Sequence, residues 1–429
     1  MILLTWYRTA PTGARRAFWA AFGGWALEAA DAQIFGLVLP TLLAIWQLSD
    51  GQGGLLASVT LICTAVGGWC AGLASDRWGR VAVLRATIAW YAIATFLAGF
   101  AGGFDSLLVL RCLQGFGFGG EWAAGAALIS EYAGTRYRGR VLGAVQSGWA
   151  VGWAVALAGY ALAFSALPAA WSWRVMFWAG VAPALLVIAL RRTLGDPPVY
   201  LRGRAKVSPL RIFRPDLLRV TVFGALLGLG SHGGYYALTT FLPTYLRGTR
   251  GLTVLGTTAY LAVFITASFF GYLVSGLLAD RIGRRRNIVA FAALCLLSLP
   301  LYLLVPLNDL GALLASAPLG FFSAGIPGGL GSLFAELFPT AVRGSGQGFC
   351  YNLGRVIAAA FPALVGALAP RLGLAAGIAL FAGLAYALAA VAALCLPETR
   401  ADDGRVSGAA VAGGHAYGGP DPYGAPGSH

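Results

Sequence analysis

The chain has 429 residues, of which 58% are hydrophobic and only 11% charged, with a mean hydropathy of +0.74. A soluble protein of this length carries about twice that charged fraction, so a water-soluble globular fold is excluded and a polytopic helical membrane protein is indicated. The formal net charge of +14 is concentrated in loops between apolar runs, as the positive-inside rule describes, and is not a nucleic-acid footprint.

Apolar windows of about 18 residues or more recur along the chain, each able to cross a hydrocarbon core of about 30 Å. Spans are expected near 18–46, 53–75, 82–104, 107–130, 140–165 and 173–193. A second set is expected near 217–246, 254–279, 287–307, 311–335, 345–369 and 373–396. The sequence thus predicts an all-α membrane protein of twelve transmembrane helices, with six-helix halves at 1–193 and 217–396. The stretch 194–216, basic and proline-containing, suits a cytoplasmic linker. Arginine-rich loops around 77–85, 136–140, 191–219, 281–286 and 343 fall on one side with the N-terminus, and the opposite loops are short and carry little charge. Both termini are therefore expected to be cytoplasmic, in a multi-pass protein of the inner (plasma) membrane. No cleavable signal peptide is expected, because no small-residue cleavage site follows the first long apolar run. The segment 397–429 is rich in Gly, Ala, Pro and Tyr, cannot bury a core, and is expected to be a disordered tail.

Ionisable residues at mid-membrane depth are costly and are candidates for function. Glu28 and Asp31 are three apart in the first span, so they share a helix face, with Gln33 close by. Two such carboxylates in a low-dielectric site cannot both ionise cheaply, which suits proton coupling; the alternative is a structural pair bonded to backbone or to an arginine. In the fourth span, Arg111 and Glu121 can form a relay or neutralise separate partners. Gln146 and Trp149 offer a polar edge beside an aromatic face for a small polar substrate. His232 and Tyr235 lie midway through the seventh span, where a histidine that titrates near neutrality can handle substrate or protons or be structural. Asn352 and Arg355 lie midway through the eleventh; Arg355 can clamp a carboxylate in two-pronged geometry or neutralise Glu28, Asp31 or Glu121.

Six cysteines fall inside apolar runs without a pairing pattern and read as small buried hydrophobes, with no disulfide framework or metal site. The glycines 115, 117, 119 and 120, and the pair Gly148 and Gly152, read as faces where helices approach closely. No nucleophile–base set stands out, so neither an enzyme nor a cofactor is expected, and protons are the expected coupling ion.

Two loop motifs are duplicated. Gly72-Leu-Ala-Ser-Asp76-Arg77-Trp-Gly79-Arg80 returns as Gly276-Leu-Leu-Ala-Asp280-Arg281-Ile-Gly283-Arg284, and 280 − 76 gives an offset of 204. Glu131 with Arg138-Gly139 returns as Glu336 with Arg343-Gly344, where 336 − 131 gives 205. Two marks at one offset imply two similar halves of about 200 residues. The pattern resembles the signature of the major facilitator superfamily of secondary transporters. The run from Trp25 to Pro40, Gly119 to Trp122, Gln146 to Gly148, Trp173-Arg174 and Tyr351 to Arg355 look like the sialate and monocarboxylate proton symporters and related metabolite–proton symporters. In the reading that goes with this resemblance, Asp76, Arg77, Arg80, Glu131, Arg138, Asp280, Arg281, Arg284, Glu336 and Arg343 latch the halves together in one conformation and release in the other.

The resemblance implies a proton-coupled symporter, acting as a monomer by alternating access, that imports a small organic anion, expected to be a carboxylate. A proton-coupled antiporter exporting drugs or metabolites is the alternative. Residues 148–152 lack the proline that resemblance among exporters leads one to expect in the fifth span. A transport-inactive membrane sensor is the third reading, opposed by the retained mid-membrane carboxylates.

Overall fold

A computed structural model describes residues 6–8, 10–78, 80–118, 137–181, 209–339 and 342–399. Helices account for nearly all of them. The first half of the chain gives α1 (Thr12–Trp46), α2 (Asp50–Trp78), α3 (Arg80–Ala98), α4 (Phe104–Phe118), α5 (Tyr137–Ala166) and α6 (Ala169–Ala179). The second gives α7 (Pro215–Thr244), α8 (Val254–Ile282), α9 (Arg284–Leu303), α10 (Asp309–Leu337), α11 (Ser345–Leu372) and α12 (Leu374–Leu394).

Local chemistry sets several boundaries. Thr253 and Asn308 cap α8 and α10 by accepting from the amides of Gly256 (3.1 Å) and Gly311 (2.8 Å). Pro215 opens α7 at a position where its missing N–H costs nothing. The expected eleventh span is not one straight rod, because its helical stretches Arg343–Ala358 and Ala360–Leu372 meet at Ala359, three residues before Pro362. The basic linker ends earlier than expected, since α7 begins at Pro215 after a short 3-10 turn, Pro209–Phe213.

Among the described residues, eight helices are long and apolar enough to cross a membrane: α1, α2, α5 and α8 to α12. The expected spans at 82–104 and 217–246 coincide with α3 and α7; α7 falls short of that standard, carrying Ser231, His232 and several glycines at its middle. Those at 107–130 and 173–193 run past the described residues. Burial is inverted relative to a water-soluble protein. Leu162 and Leu297 are 70% exposed, whereas Glu28, Asp31, Arg111 and Arg355 are all buried. Apolar faces turned outward and charges turned inward suit a lipid surround.

The sequence repeat has a physical counterpart in the packing. Helix α1 packs on α5, and α7 on α11; α2 packs on α4, and α8 on α10. Gly67 of α2 lies against the Phe116 carbonyl and Gly115 of α4 against the Thr60 carbonyl, so a Cβ at either would collide with backbone. Gly271 and Gly320 meet Phe321 and Phe264 in the same way. The offsets, 271 − 67 = 204 and 320 − 115 = 205, match the loop motifs. Gly117, Gly148 and Gly152 also sit at close helix contacts, as expected. Of the cysteines, Cys295 and Cys350 are buried as expected, but Cys70 is exposed and Cys63, Cys112 and Cys395 are half-buried; all six are free thiols.

The two halves touch at both ends. At the arginine-rich end α5 lies on α8, with Gly139 and Gly143 against Gly276. At the other end α2 lies on α11, where Gly54 meets Pro362 and Ala363, and Gly366 meets Asp50. The Ala363 amide donates to Ser58 Oγ (3.2 Å), and Arg247 donates to Thr41 Oγ1 (2.9 Å). The final described turn is anchored too. Glu398 accepts from the amides of Arg285 and Arg286, both at 3.2 Å, and so caps α9. Gly283, at φ 105°, leaves room for that carboxylate, which a Cβ would meet at 2.5 Å.

Candidate functional site

Between the two closed ends lies a cavity in two lobes. One lobe, a cavity of about 70 Å³, lies toward the end opposite the arginine-rich turns and is walled by Gln33, Phe35, Thr60, Thr64 and Arg111, among others. The other, of about 30 Å³, lies toward the arginine-rich end and is walled by Trp25, Gln146, Ser231, His232, Tyr272 and Tyr351. Trp149, Tyr235, Tyr236 and Arg355 border both. Trp149 donates to Tyr235 Oη at 2.7 Å, and Gln33 reaches the same oxygen at 3.5 Å, so three helices meet at one phenol.

Most residues expected to contact substrate are at these walls. Gln146 donates to the Pro327 carbonyl at 3.4 Å, and Trp149 packs on Trp25 with ring centroids 4.9 Å apart. The His232 ring lies edge-on to Tyr351 at 4.3 Å. Its Nδ1 lies 2.7 Å from the Gly228 carbonyl, an acceptor, so Nδ1 carries the hydrogen and Nε2 can accept. Asn352 is the exception, since it borders neither lobe. It is turned about 100° around α11 from Tyr351, which does.

The paired-carboxylate expectation is corrected. Glu28 and Asp31 do not share a site, because three helical residues leave them about 60° apart around α1, enough to select different neighbours. Glu28 crosses to the other half of the chain, where Arg355 Nη2 stands 3.2 Å from its Oε1. Both side chains are almost wholly buried. Asp31 instead stays with its own half. Its Oδ2 accepts from Gln114 Nε2 (2.8 Å) and Thr95 Oγ1 (2.9 Å). Gln114 also donates to Thr95 Oγ1 (2.8 Å), and its Oε1 accepts from Arg111 Nη1 (2.6 Å).

That cluster satisfies Asp31 Oδ2 in either protonation state, while Oδ1 is buried without a hydrogen-bond partner. The Thr95 hydroxyl lies 2.9 Å from both Asp31 Oδ2 and the Tyr91 carbonyl, and it has one hydrogen to give. With Asp31 ionised, the hydrogen points to the carboxylate. With Asp31 protonated at Oδ2, the acid can donate to Thr95, which turns its own hydrogen to Tyr91. Sequence reasoning missed Thr95 and Gln114 altogether and left Arg111 between a relay with Glu121 and the neutralisation of a separate partner. One signal was available, since Arg111 and Gln114 are three apart on one helix and so share a face.

At the arginine-rich end an ion-pair network joins the halves. Asp280 accepts from the amides of Gly139 and Arg140, both at 3.1 Å, and pairs with the Arg140 (3.3 Å) and Arg284 (3.2 Å) side chains. Glu336 pairs with Arg284 (2.9 Å) and Arg138 (3.6 Å). Arg284 therefore bridges the two acids that face the first half. Arg343 is half-buried at the first residue of the helical stretch Arg343–Ala358. Arg281 does not join: it is exposed on the last turn of α8 and forms no ion pair among the described residues, because its neighbour Asp280 already occupies the inward face. Arg140, not among the expected latch residues, takes part instead. Glu121 and Glu131, and the side chains of Asp76, Arg77 and Arg80, lie outside the described residues.

A buried cavity with charged walls, shared by two similarly packed halves and enclosed by lipid-facing helices, defines a multi-pass membrane transporter. The profile of the Major Facilitator Superfamily matches residues 21–354, and the chain belongs to that family. Over 404 residues it is 39% identical to a "Probable 4-methylmuconolactone transporter" of Cupriavidus pinatubonensis, covering 93% of this chain and 94% of that one. It is 31% identical to a "Cis,cis-muconate transport protein" of Acinetobacter baylyi, covering 90% and 95%. Its fold is similar to that of a solved proton:xylose symporter of the superfamily, with a TM-score of 0.72 at 18% identity, covering 90% of this chain and 96% of the other.

Proposed function

We propose that this chain is a proton-coupled symporter that imports a small organic anion, a carboxylate, by alternating access. In this reading twelve spans form six-helix halves at 1–193 and 217–396, both termini are cytoplasmic, and the chain works as a monomer in the inner membrane. The arginine-rich end then faces the cytoplasm, and a molecule closed at both ends is the occluded intermediate of the cycle. The relatives named for muconate and methylmuconolactone support the substrate class.

The observation that carries the reading is Asp31, a buried acid joined through Gln114 to Arg111 at the cavity wall, whose Oδ2 keeps its partners with or without a proton. A carrier that moves one proton per cycle needs such a residue, and Asp31 is assigned the coupling role. Glu28 and Arg355 are assigned to the interface between the halves, where their pair holds the occluded state together and exchanges partners as the cavity opens. Gln33, Gln146, Trp149, His232 and Tyr235 are assigned to substrate, and the Arg138–Glu336, Arg140–Asp280 and Arg284 network to the cytoplasmic gate.

The test is uptake by purified protein in liposomes under an inward proton gradient. Labelled 4-methylmuconolactone, cis,cis-muconate, benzoate, sialate, shikimate, lactate, pyruvate and succinate are the candidate substrates. Accumulation of one of them that collapses with a protonophore is the expected result. No accumulation of any, together with proton-linked efflux of a cationic dye, would make the chain an exporter.

A further inference from the structure

We propose that Cys63 and Cys112 form a reversible dithiol–disulfide site at the lipid-facing seam between α2 and α4, closed by a quinone dissolved in the bilayer.

Glycine sets the distance between the two helices. Gly67 of α2 lies against the Phe116 carbonyl and Gly115 of α4 against the Thr60 carbonyl, so the backbones touch on both sides of the cysteines. That approach brings Cys63 Sγ to 2.8 Å from Cys112 Sγ, and both thiols are free. A disulfide needs a sulfur separation of about 2.05 Å, so the bond forms after a movement of less than about 1 Å.

The pair stands at the rim of the seam, where the seam opens to lipid. Around α2, exposed Val66 lies about 60° to one side of Cys63 and Gly67 about 40° to the other. Around α4, exposed Phe116 lies about 40° to one side of Cys112 and Gly115 about 60° to the other. Ile62, Val109 and Leu113 extend the outward apolar face. Both cysteines are accordingly half-buried. Cys63 is 63 − 50 = 13 residues from the start of α2 and 78 − 63 = 15 from its end, which places it about 20 Å from each, deep in the hydrocarbon.

The internal repeat shows what packing alone requires at this seam. The offsets 63 + 204 and 112 + 205 carry the two cysteines to Ala267 and Ala317, on α8 and α10. There the matching glycine contacts, Gly271 on Phe321 and Gly320 on Phe264, close over methyl groups. A small side chain suffices to fill the space, and only the first half places sulfur there.

The surroundings select the oxidant. Glutathione and thioredoxin are polar and stay in water, so a thiol pair in hydrocarbon is beyond the reductants that keep cytosolic thiols reduced. A quinone partitions into the same hydrocarbon and accepts two electrons and two protons. Two S–H bonds break and one S–S bond forms; both protons and both electrons pass to the quinone, which leaves as the quinol. The bridge spans 112 − 63 = 49 positions and encloses α3, so it restricts the unfolded chain and stiffens the first half. It also ties together Thr60, one turn before Cys63, and Arg111, beside Cys112, both at the wall of the larger lobe.

The test uses the purified full chain in lipid nanodiscs, reduced with dithiothreitol, freed of it, and given decylubiquinone. Wild type should form about one quinol per protein, the stoichiometry of a two-electron couple. Peptide mapping should show Cys63 joined to Cys112, with Cys70, an exposed free thiol on the same helix, still open to alkylation. Dithiothreitol should restore both thiols, and the bridged form should unfold at a higher temperature than the reduced one. Oxidised glutathione should close the bridge at least about 10-fold more slowly, because access limits thiol exchange. Cys63→Ala and Cys112→Ala should fold, as the alanines of the second half lead one to expect, and should form no quinol. Absence of a Cys63–Cys112 bridge after decylubiquinone would overturn the proposal. So would equal rates with oxidised glutathione, which would make the site water-facing, or undiminished quinol from either variant. If the variants fail to fold, the peptide map of wild type and the comparison of the two oxidants decide alone.

Discussion

Glu28 and Asp31 stand one helical turn apart on α1 and use opposite strategies for a buried negative charge. Glu28 forms a direct ion pair with an arginine of the other half. Asp31 keeps its arginine at one remove, behind a neutral amide and a hydroxyl of its own half. A direct pair across the seam between halves must break when the halves part, so its strength holds one conformation. A cluster within one half can travel intact through the cycle and change only its proton. The difference separates a residue suited to timing from one suited to coupling.

Removing the titratable group should have the largest effect. Asp31→Asn is expected to abolish proton-driven accumulation in liposomes while substrate exchange continues. Accumulation at the wild-type level would end the contrast with Glu28. Next in size, Glu28→Gln leaves the Arg355 guanidinium buried without its partner and should destabilise the protein by about 3 kcal/mol. Thermal unfolding in detergent is the readout, and the double variant with Arg355→Gln should recover most of the loss; no recovery would mean that the pair is not what holds the two together. Smaller again, Glu336→Gln removes one partner from Arg138 and Arg284 and should favour opening at that end by about 1–2 kcal/mol. A cysteine placed at the buried Ala279, in a background without native cysteines, should then be alkylated faster. The smallest effect is expected from Thr95→Val, which removes the swinging hydroxyl and should slow accumulation by about 1 kcal/mol, whereas Thr95→Ser keeps it. Equal rates for Val and Ser would show that the hydroxyl does not matter.

How much of this was legible beforehand depended on distance along the chain. Apolar runs predict helices because a span must be long and dehydrated wherever it occurs, and the duplicated Asp-Arg-x-Gly-Arg turns mark their ends. Glu28, Asp31 and Arg355 are conspicuous for the same reason, being charges where lipid-like composition surrounds them. Their partners were not legible. Arg355 lies 327 residues from Glu28, and only the docking of α1 against the second half selects that carboxylate over Asp31. Thr95 is one of many hydroxyls in apolar helices and gains meaning only from lying 2.9 Å from Asp31. Arg140 looked like one more topogenic arginine, and Arg281 looked like a latch residue; the rotation of α5 and α8 at their contact reversed the two.

The cap that Glu398 places on α9 has a mechanical consequence. The polypeptide leaving the last helix is riveted to the amides of Arg285 and Arg286, next to Arg284, which bridges the two acids of the ion-pair network at the arginine-rich end. Pulling on the tail is therefore pulling on that network. A fluorescent protein or affinity tag joined before residue 398 would remove the rivet and loosen the turn that carries Arg284. The same cargo joined farther along would leave the rivet in place, and only load transmitted through Glu398 would reach the network.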